Sequence, residues 1–306
     1  MDIRRSRQSI SQILDQINQQ HDLHLTLDQA QLIESRTALV CRILTPSNVY
    51  GLKITAATDF ENEVFFYHTL RDHNLPAPRV YATNQVDGWS YLLSDWVAGD
   101  DRLSSPLQLG QQIGQVLERV HQIAVPGVGR MHHQKWEGTD WGPFITENVE
   151  TFSRQLPELD EPAEWIDSVQ AGLATFVERC QQAHIQPRLL HSDVAIDNVI
   201  WQGDRLMALI DPGWCIGGDP LLDVSYVLLL MTDMRLIDGF RRGYAHYDQL
   251  DQERLHSYQV YHHVAKLMHC AQTGNRERYE VWKRGLRRAL GNGYASTSKP
   301  SIAFCK

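Results

Sequence analysis

The sequence predicts an α+β fold: a small, mostly antiparallel sheet with one inserted helix, followed by a longer and mainly helical region. Three observations carry this. Short runs rich in β-forming residues, punctuated by turn residues, fill most of the first hundred positions. Beyond Gly99 the apolar spacing switches to the period of a helix. The 306 residues are 42% hydrophobic and 22% charged, an ordinary globular balance that excludes collagen, coiled coil and a small disulfide scaffold.

Residues 1–30 read as helix, because Ile10, Ile13, Leu14 and Ile17 fall on one face. Strands are expected at 32–34, 38–44 and 50–55, with Pro46-Ser47-Asn48 as the turn before the last. Residues 59–70 break strand alternation and read as the inserted helix, with Asp59 as its N-cap. Strands at 79–82 and 89–97 complete the sheet. Leu109, Ile113, Val116, Leu117 and Val120 mark an amphipathic helix over 107–123. Residues 125–142 read as irregular, and helices continue to about 183. Two apolar runs at 198–201 and 206–210, flanking Gly203-Asp204, predict a hairpin. Helices fill 221–290, and the residues after them read as a frayed tail. The expected division is 1–98 and 99–306.

Function classes narrow from composition. The net charge of −8 argues against a nucleic-acid partner, which needs a basic face. The longest apolar run, 227–231, is far short of the ~20 residues of a membrane span. The basic N-terminus leads into no apolar stretch, so it is not a secretory signal. The five cysteines are scattered and form no Cys-x-x-Cys pair, which fits a reducing cytoplasm better than a disulfide framework or a zinc site.

Chemistry concentrates in LLHSDVAIDNVI and MALIDPGWCIGGDPLLD, which contain His191-x-Asp193, Asn198 and Asp211. Phosphoryl transfer from a nucleotide needs such a set: a carboxylate to orient and deprotonate a hydroxyl, and an Asn with a second Asp to hold Mg²⁺ against the phosphates. Ordinary turns would also use Asp and Asn, but not at this spacing followed by Ile-Asp at the end of an apolar strand.

The segment from His191 to Asp223 resembles the catalytic core of the aminoglycoside phosphotransferase and choline kinase-like family, small-molecule kinases with a protein-kinase-like fold. Its pattern appears as His191-Ser192-Asp193, Asn198, Ile210-Asp211, Gly218-Asp219-Pro220 and Asp223, with Ser192 standing where the family usually has Gly. The resemblance spans about residues 30–290. It implies a two-lobed fold with a small antiparallel-sheet lobe and a larger helical lobe. It implies Asp193 as catalytic base, Asn198 and Asp211 as metal ligands, and His191 and Asp219 in support. Lys53 in YGLKI resembles the strand lysine that grips the nucleotide phosphates, and Glu63 the helix glutamate paired with it; Glu61 points off another side of that helix. YLLSDWVAGD resembles the segment joining the lobes, where the Asp95 carbonyl and Val97 amide would meet the base. The phosphate turn, residues 34–37, has no Gly, so Ser35 and Thr37 hydroxyls join the backbone amides as expected donors. The implied donor is ATP, or GTP, with Mg²⁺.

Only seven residues separate Asp211 from Asp219, which leaves no peptide-docking segment and favours a small acceptor over a protein kinase. A catalytically silent binding module is the other alternative; its support is the Gly-free turn. Residues 131–168 carry nine acidic and two basic side chains among Trp136, Trp141, Phe144, Phe152 and Trp165. Glu137, Asp140, Trp136 and Trp141 are therefore candidates for binding a cationic acceptor such as an aminoglycoside. A solvated acidic surface over core tryptophans is the alternative.

Overall fold

The structure is a computed structural model, and it describes residues 3–21, 23–33, 38–56 and 60–291. The chain forms two compact units. The first runs to Arg102 and takes in Ile200–Gln202 and Leu206–Asp211; the second comprises Leu103–Val199, Gly203–Arg205 and the chain from Pro212 onward.

The first unit begins with α1 (Ile3–His21). A sheet follows, of β1 (Ala30–Ile33), β2 (Leu39–Leu44) and β3 (Val49–Thr55), then α2 (Glu61–Asp72), then β4 (Val80–Val86) and β5 (Trp89–Asp95). The strand order is β1-β2-β3-β5-β4, antiparallel throughout. In β3, Tyr50, Leu52 and Ile54 are buried and the residues between them are only half so. The four apolar residues of α1 join Cys41, Ile43, Leu52, Ile54, Tyr91 and Leu93 in one core. That core occupies one face of the sheet, and the period of two puts Lys53 on the other. The first helix is shorter than the expected 1–30. Asn18 closes on Leu25 through two 2.7 Å hydrogen bonds to its backbone, which turn the chain back after His21. The expected N-cap Asp59 lies outside the described residues.

The second unit contains α3 (Pro106–His121), β6 (Val128–His132), β7 (Lys135–Gly138), α4 (Trp141–Gln155), α5 (Ala163–Gln182) and β8 (Arg188–Leu189). The hairpin of β9 (Val199–Gln202) and β10 (Arg205–Leu209), most of which belongs to the first unit, follows β8 along the chain; after it the second unit continues with β11 (Gly217–Gly218) and the helices α6 (Leu221–Leu230), α7 (Met234–Gly243), α8 (Gln252–Gln272) and α9 (Arg276–Gly291). The short strands pair as β7-β6-β11-β8. The hairpin β6–β7 corrects the irregular reading of 125–142. His132 pairs with Lys135, leaving a two-residue turn, His133-Gln134, with φ of 49° and 62°. Those are the angles of a type I′ turn, built here without the Asn-Gly that normally announces one. Helices α3 and α7 touch backbone to backbone across Gly110, Gly114, Gly239 and Gly243; a Cβ on Gly114 would lie 2.7 Å from the Tyr244 amide nitrogen. No described helix is long and apolar enough to cross a membrane.

Candidate functional site

The first unit gathers Lys53, Glu63, Tyr67 and Asp211. Lys53 stands on the face of β3 away from the α1 core, and Glu63 lies in the first turn of α2. The Lys53 ammonium donates to Glu63 Oε2 at 2.9 Å and to Asp211 Oδ1 at 2.5 Å. Tyr67, one turn beyond Glu63, donates its hydroxyl proton to Glu63 Oε1 at 2.8 Å and accepts from the Asp211 amide at 3.1 Å. Burial works against the ammonium, but the two carboxylates outweigh it and hold Lys53 above the ordinary lysine value. The Asp211 side chain is 48% exposed, far more open than Lys53 or Glu63. Asp211 also has φ of +53°, a left-handed backbone that few residues other than glycine adopt.

The second unit gathers the loop after β8. The Asn198 amide donates to the Asp193 carbonyl at 2.8 Å and to its Oδ2 at 3.0 Å, so Asp and Asn share one short turn. Tyr226 of α6 donates to Asp193 Oδ1 in a short hydrogen bond. Asp223, three residues earlier on the same helix, is fully buried and accepts from the His191 amide at 2.7 Å and the Ser192 amide at 2.6 Å. His121 of α3 donates from Nε2 to Asp223 Oδ2 at 3.1 Å, and its Nδ1 meets the Tyr244 hydroxyl at 2.9 Å. Burial alone would raise the Asp223 carboxyl, yet these donors outweigh it and hold the group below the usual carboxylate range. Ser192 sits at φ +57°, and its hydroxyl accepts from the Cys215 amide at 3.1 Å. The left-handed angle is the physical reason a glycine would suit this position.

The other expected residues divide. His191 is fully buried beneath the loop. Asp219 is buried and caps α6 by accepting from the Leu221 amide at 3.0 Å, while also accepting from Tyr258 at 2.8 Å. The Asp95 carboxylate is occupied at the end of β5, accepting from Tyr81 at 2.8 Å and from the Arg79 amide at 3.1 Å, with Val97 two residues beyond. Ser35 and Thr37 lie outside the described residues. Trp141 requires correction as an acceptor-facing ring: it is 0% exposed and its indole donates to Tyr258 at 2.6 Å, so it belongs to the core. Asp140 is the N-cap of α4, accepting from the Gly142 amide at 3.0 Å, and Glu137 Oε2 accepts from the Arg130 amide at 2.8 Å. Trp136 of β7 is half-buried.

Sequence reasoning passed over Tyr67 and Tyr226 and left Asp223 without a role. Helical spacing was the available signal, since Tyr67 follows Glu63 by four residues and Tyr226 follows Asp223 by three, both on one helix face.

Residues 29–258 match a family described as the phosphotransferase enzyme family. No curated protein is a significant match to the chain. Among solved structures, a thermostable mutant of aminoglycoside phosphotransferase APH(4)-Ia, in ternary complex with ADP and hygromycin B, aligns with a TM-score of 0.76 at 18% identity, over 94% of this chain and 100% of that one. A putative fructosamine-3-kinase from Haemophilus somnus 129PT gives 0.68 at 18% identity, over 92% and 96%. A spectinomycin phosphotransferase, APH(9)-Ia, with ADP and spectinomycin gives 0.64 at 16%, over 92% and 96%.

Proposed function

The chain belongs to the phosphotransferase enzyme family as a small-molecule kinase, and from that premise we propose that it moves the γ-phosphoryl group of ATP to a hydroxyl of an aminoglycoside or another small amino alcohol. The observation that carries this reading is the Lys53 ammonium held by two carboxylates at 2.9 and 2.5 Å. An ammonium fixed in this way is a point charge positioned for phosphate oxygens. Residues 1–98, with Lys53 and Glu63, are the nucleotide-binding part, and the chain from residue 99 onward carries the base and takes the acceptor. Asp193 accepts the acceptor's hydroxyl proton as the new oxygen–phosphorus bond forms and the bond to ADP breaks. The Asp211 carboxylate and the Asn198 amide oxygen are hard oxygen donors, the kind Mg²⁺ takes. Each is a candidate ligand, and Mg²⁺, when bound, would supply positive charge against the phosphates. The four described cysteines are free and buried, which supports a reducing, cytoplasmic setting.

The test is coupled ATP turnover across hygromycin B, spectinomycin and a panel of simpler amino alcohols, with wild type beside Asp193→Asn. Loss of a general base lowers turnover by about 10²-fold or more, while ATP affinity stays near wild type. Full turnover by the variant removes Asp193 from the mechanism.

A further inference from the structure

We infer that Tyr226 is a positioning residue for this reaction, its phenol fixing the rotation of the Asp193 carboxylate. The inference rests on Asp193 being the base. Each Asp193 oxygen receives one donor: Tyr226 at Oδ1 and the Asn198 amide at Oδ2. Two donors on opposite oxygens remove the carboxylate's freedom to rotate. Each oxygen keeps further acceptor capacity, so a hydroxyl proton still has a place to go. Tyr226 is itself immobile. It is 3% exposed on α6, its ring meets His262 edge-on at 5.0 Å, and the Lys266 ammonium lies 4.9 Å over its face. The His262 ring is bonded at 2.9 Å to the Leu222 carbonyl, which ties α8 to the first turn of α6. Burial raises the phenol, so Tyr226 keeps its proton and is always the donor. Holding a reacting group in one geometry before substrate arrives is where orientation contributes to rate.

Steady-state turnover of Mg²⁺-ATP separates this from a packing role. Wild type, Tyr226→Phe, Asp193→Asn and the double variant are compared with water, hygromycin B and spectinomycin as acceptors, alongside thermal unfolding. Phenylalanine keeps the ring with its His262 and Lys266 contacts, so Tm and the KM for ATP stay near wild type. The kcat falls about ten- to a hundredfold, the scale of rate lost when a reacting group is misplaced. In the Asp193→Asn background the same change adds little, because Tyr226 acts through Asp193. A wild-type kcat in Tyr226→Phe overturns the inference, as does an undiminished further loss in the Asp193→Asn background. An inactive Asp193→Asn beside a fully active Tyr226→Phe overturns this inference alone. Full activity in Asp193→Asn removes Asp193 as the base and overturns the inference with it, and no phosphoryl transfer by wild type to these acceptors or to the amino-alcohol panel overturns the proposed function and the inference together.

Discussion

Replacing Asp223 with alanine is expected to destabilise the fold by about 3–5 kcal/mol, the range for breaking a buried charged pair. The carboxylate is 0% exposed and accepts three donors, the amides of His191 and Ser192 at 2.7 and 2.6 Å and the His121 ring at 3.1 Å. Each buried donor left without an acceptor costs about 1–3 kcal/mol. The three converge on one vacated volume that water can partly fill, so the sum falls short of three full penalties. Asp223→Asn keeps the volume and one oxygen but turns an amide N–H toward a donor, and about 1–3 kcal/mol is expected. Urea unfolding followed by fluorescence reads both, as a shift of midpoint at constant slope. The pH dependence is a second check. The folded carboxyl lies below its ordinary value, so its stabilisation is complete above the unfolded value near 4 and is lost as pH falls through the lower folded value. The gap between wild type and Asp223→Ala therefore stays flat from pH 8 to 5. A loss under about 1 kcal/mol, or a gap that already closes between pH 7 and 5, refutes the account of how the loop is held.

Two further outcomes follow from the second unit. His262 and His263 are buried, which pushes them down to about 4 and about 3; the unfolded chain therefore binds protons that the native state does not, and stability falls as pH drops below about 6.5, by up to about 1.4 kcal/mol per unit for each histidine. Chemical unfolding at pH 7, 6 and 5 should show a shallower decline for His263→Phe, and an identical slope would mean that burial is not what holds the ring neutral. Gly114→Ala should destabilise by about 1–3 kcal/mol even though alanine is the better helix former by about 1 kcal/mol, because the new Cβ would lie 2.7 Å from the Tyr244 nitrogen; a stabilised variant in thermal melts would show that α3 and α7 can separate at little cost.

The residues that chemistry restricts were the legible ones. Asp193 and Asn198 lie five apart because they share one turn, and their spacing survives as a string in the sequence. Lys53 and Glu63 were readable as a pair because YGLKI and ENEVFFYHTL resemble the family's strand lysine and helix glutamate, ten residues apart across a strand-to-helix step, and the two side chains meet at 2.9 Å. The tyrosines were not, because their contacts are long: Tyr67 meets the Asp211 amide across 144 residues, and Tyr226 meets Asp193 across 33. Helical spacing shows that each tyrosine shares a face with a carboxylate but not which distant group its hydroxyl meets, and an apolar helix with a tyrosine in it reads as core. Trp141 failed differently. Acidic and aromatic composition shows that rings and charges are near in sequence, but not that the ring turns into the core while Asp140 beside it caps the helix. The hairpin β6–β7 was hidden by a turn made from His133 and Gln134.

Strain and support coincide at two places. Ser192 and Asp211 each adjoin or carry the proposed chemistry, and both have positive φ, 57° and 53°. A side chain other than glycine in that region costs roughly 1–2 kcal/mol. In both cases the amide of the strained residue is taken by a buried side chain from a helix: Ser192 by Asp223 of α6, and Asp211 by the Tyr67 hydroxyl of α2. Each helix then uses the same face again, α6 through Tyr226 on Asp193 and α2 through Glu63 on Lys53. The anchor of the backbone and the anchor of the charged side chain are thus three or four residues apart on one rigid element. A shift of either helix would move both together, so each strained loop and its charged group stay in register. Such coupling fixes the charges before any substrate binds, which is the condition under which fixed charges lower a barrier without reorganising during the reaction.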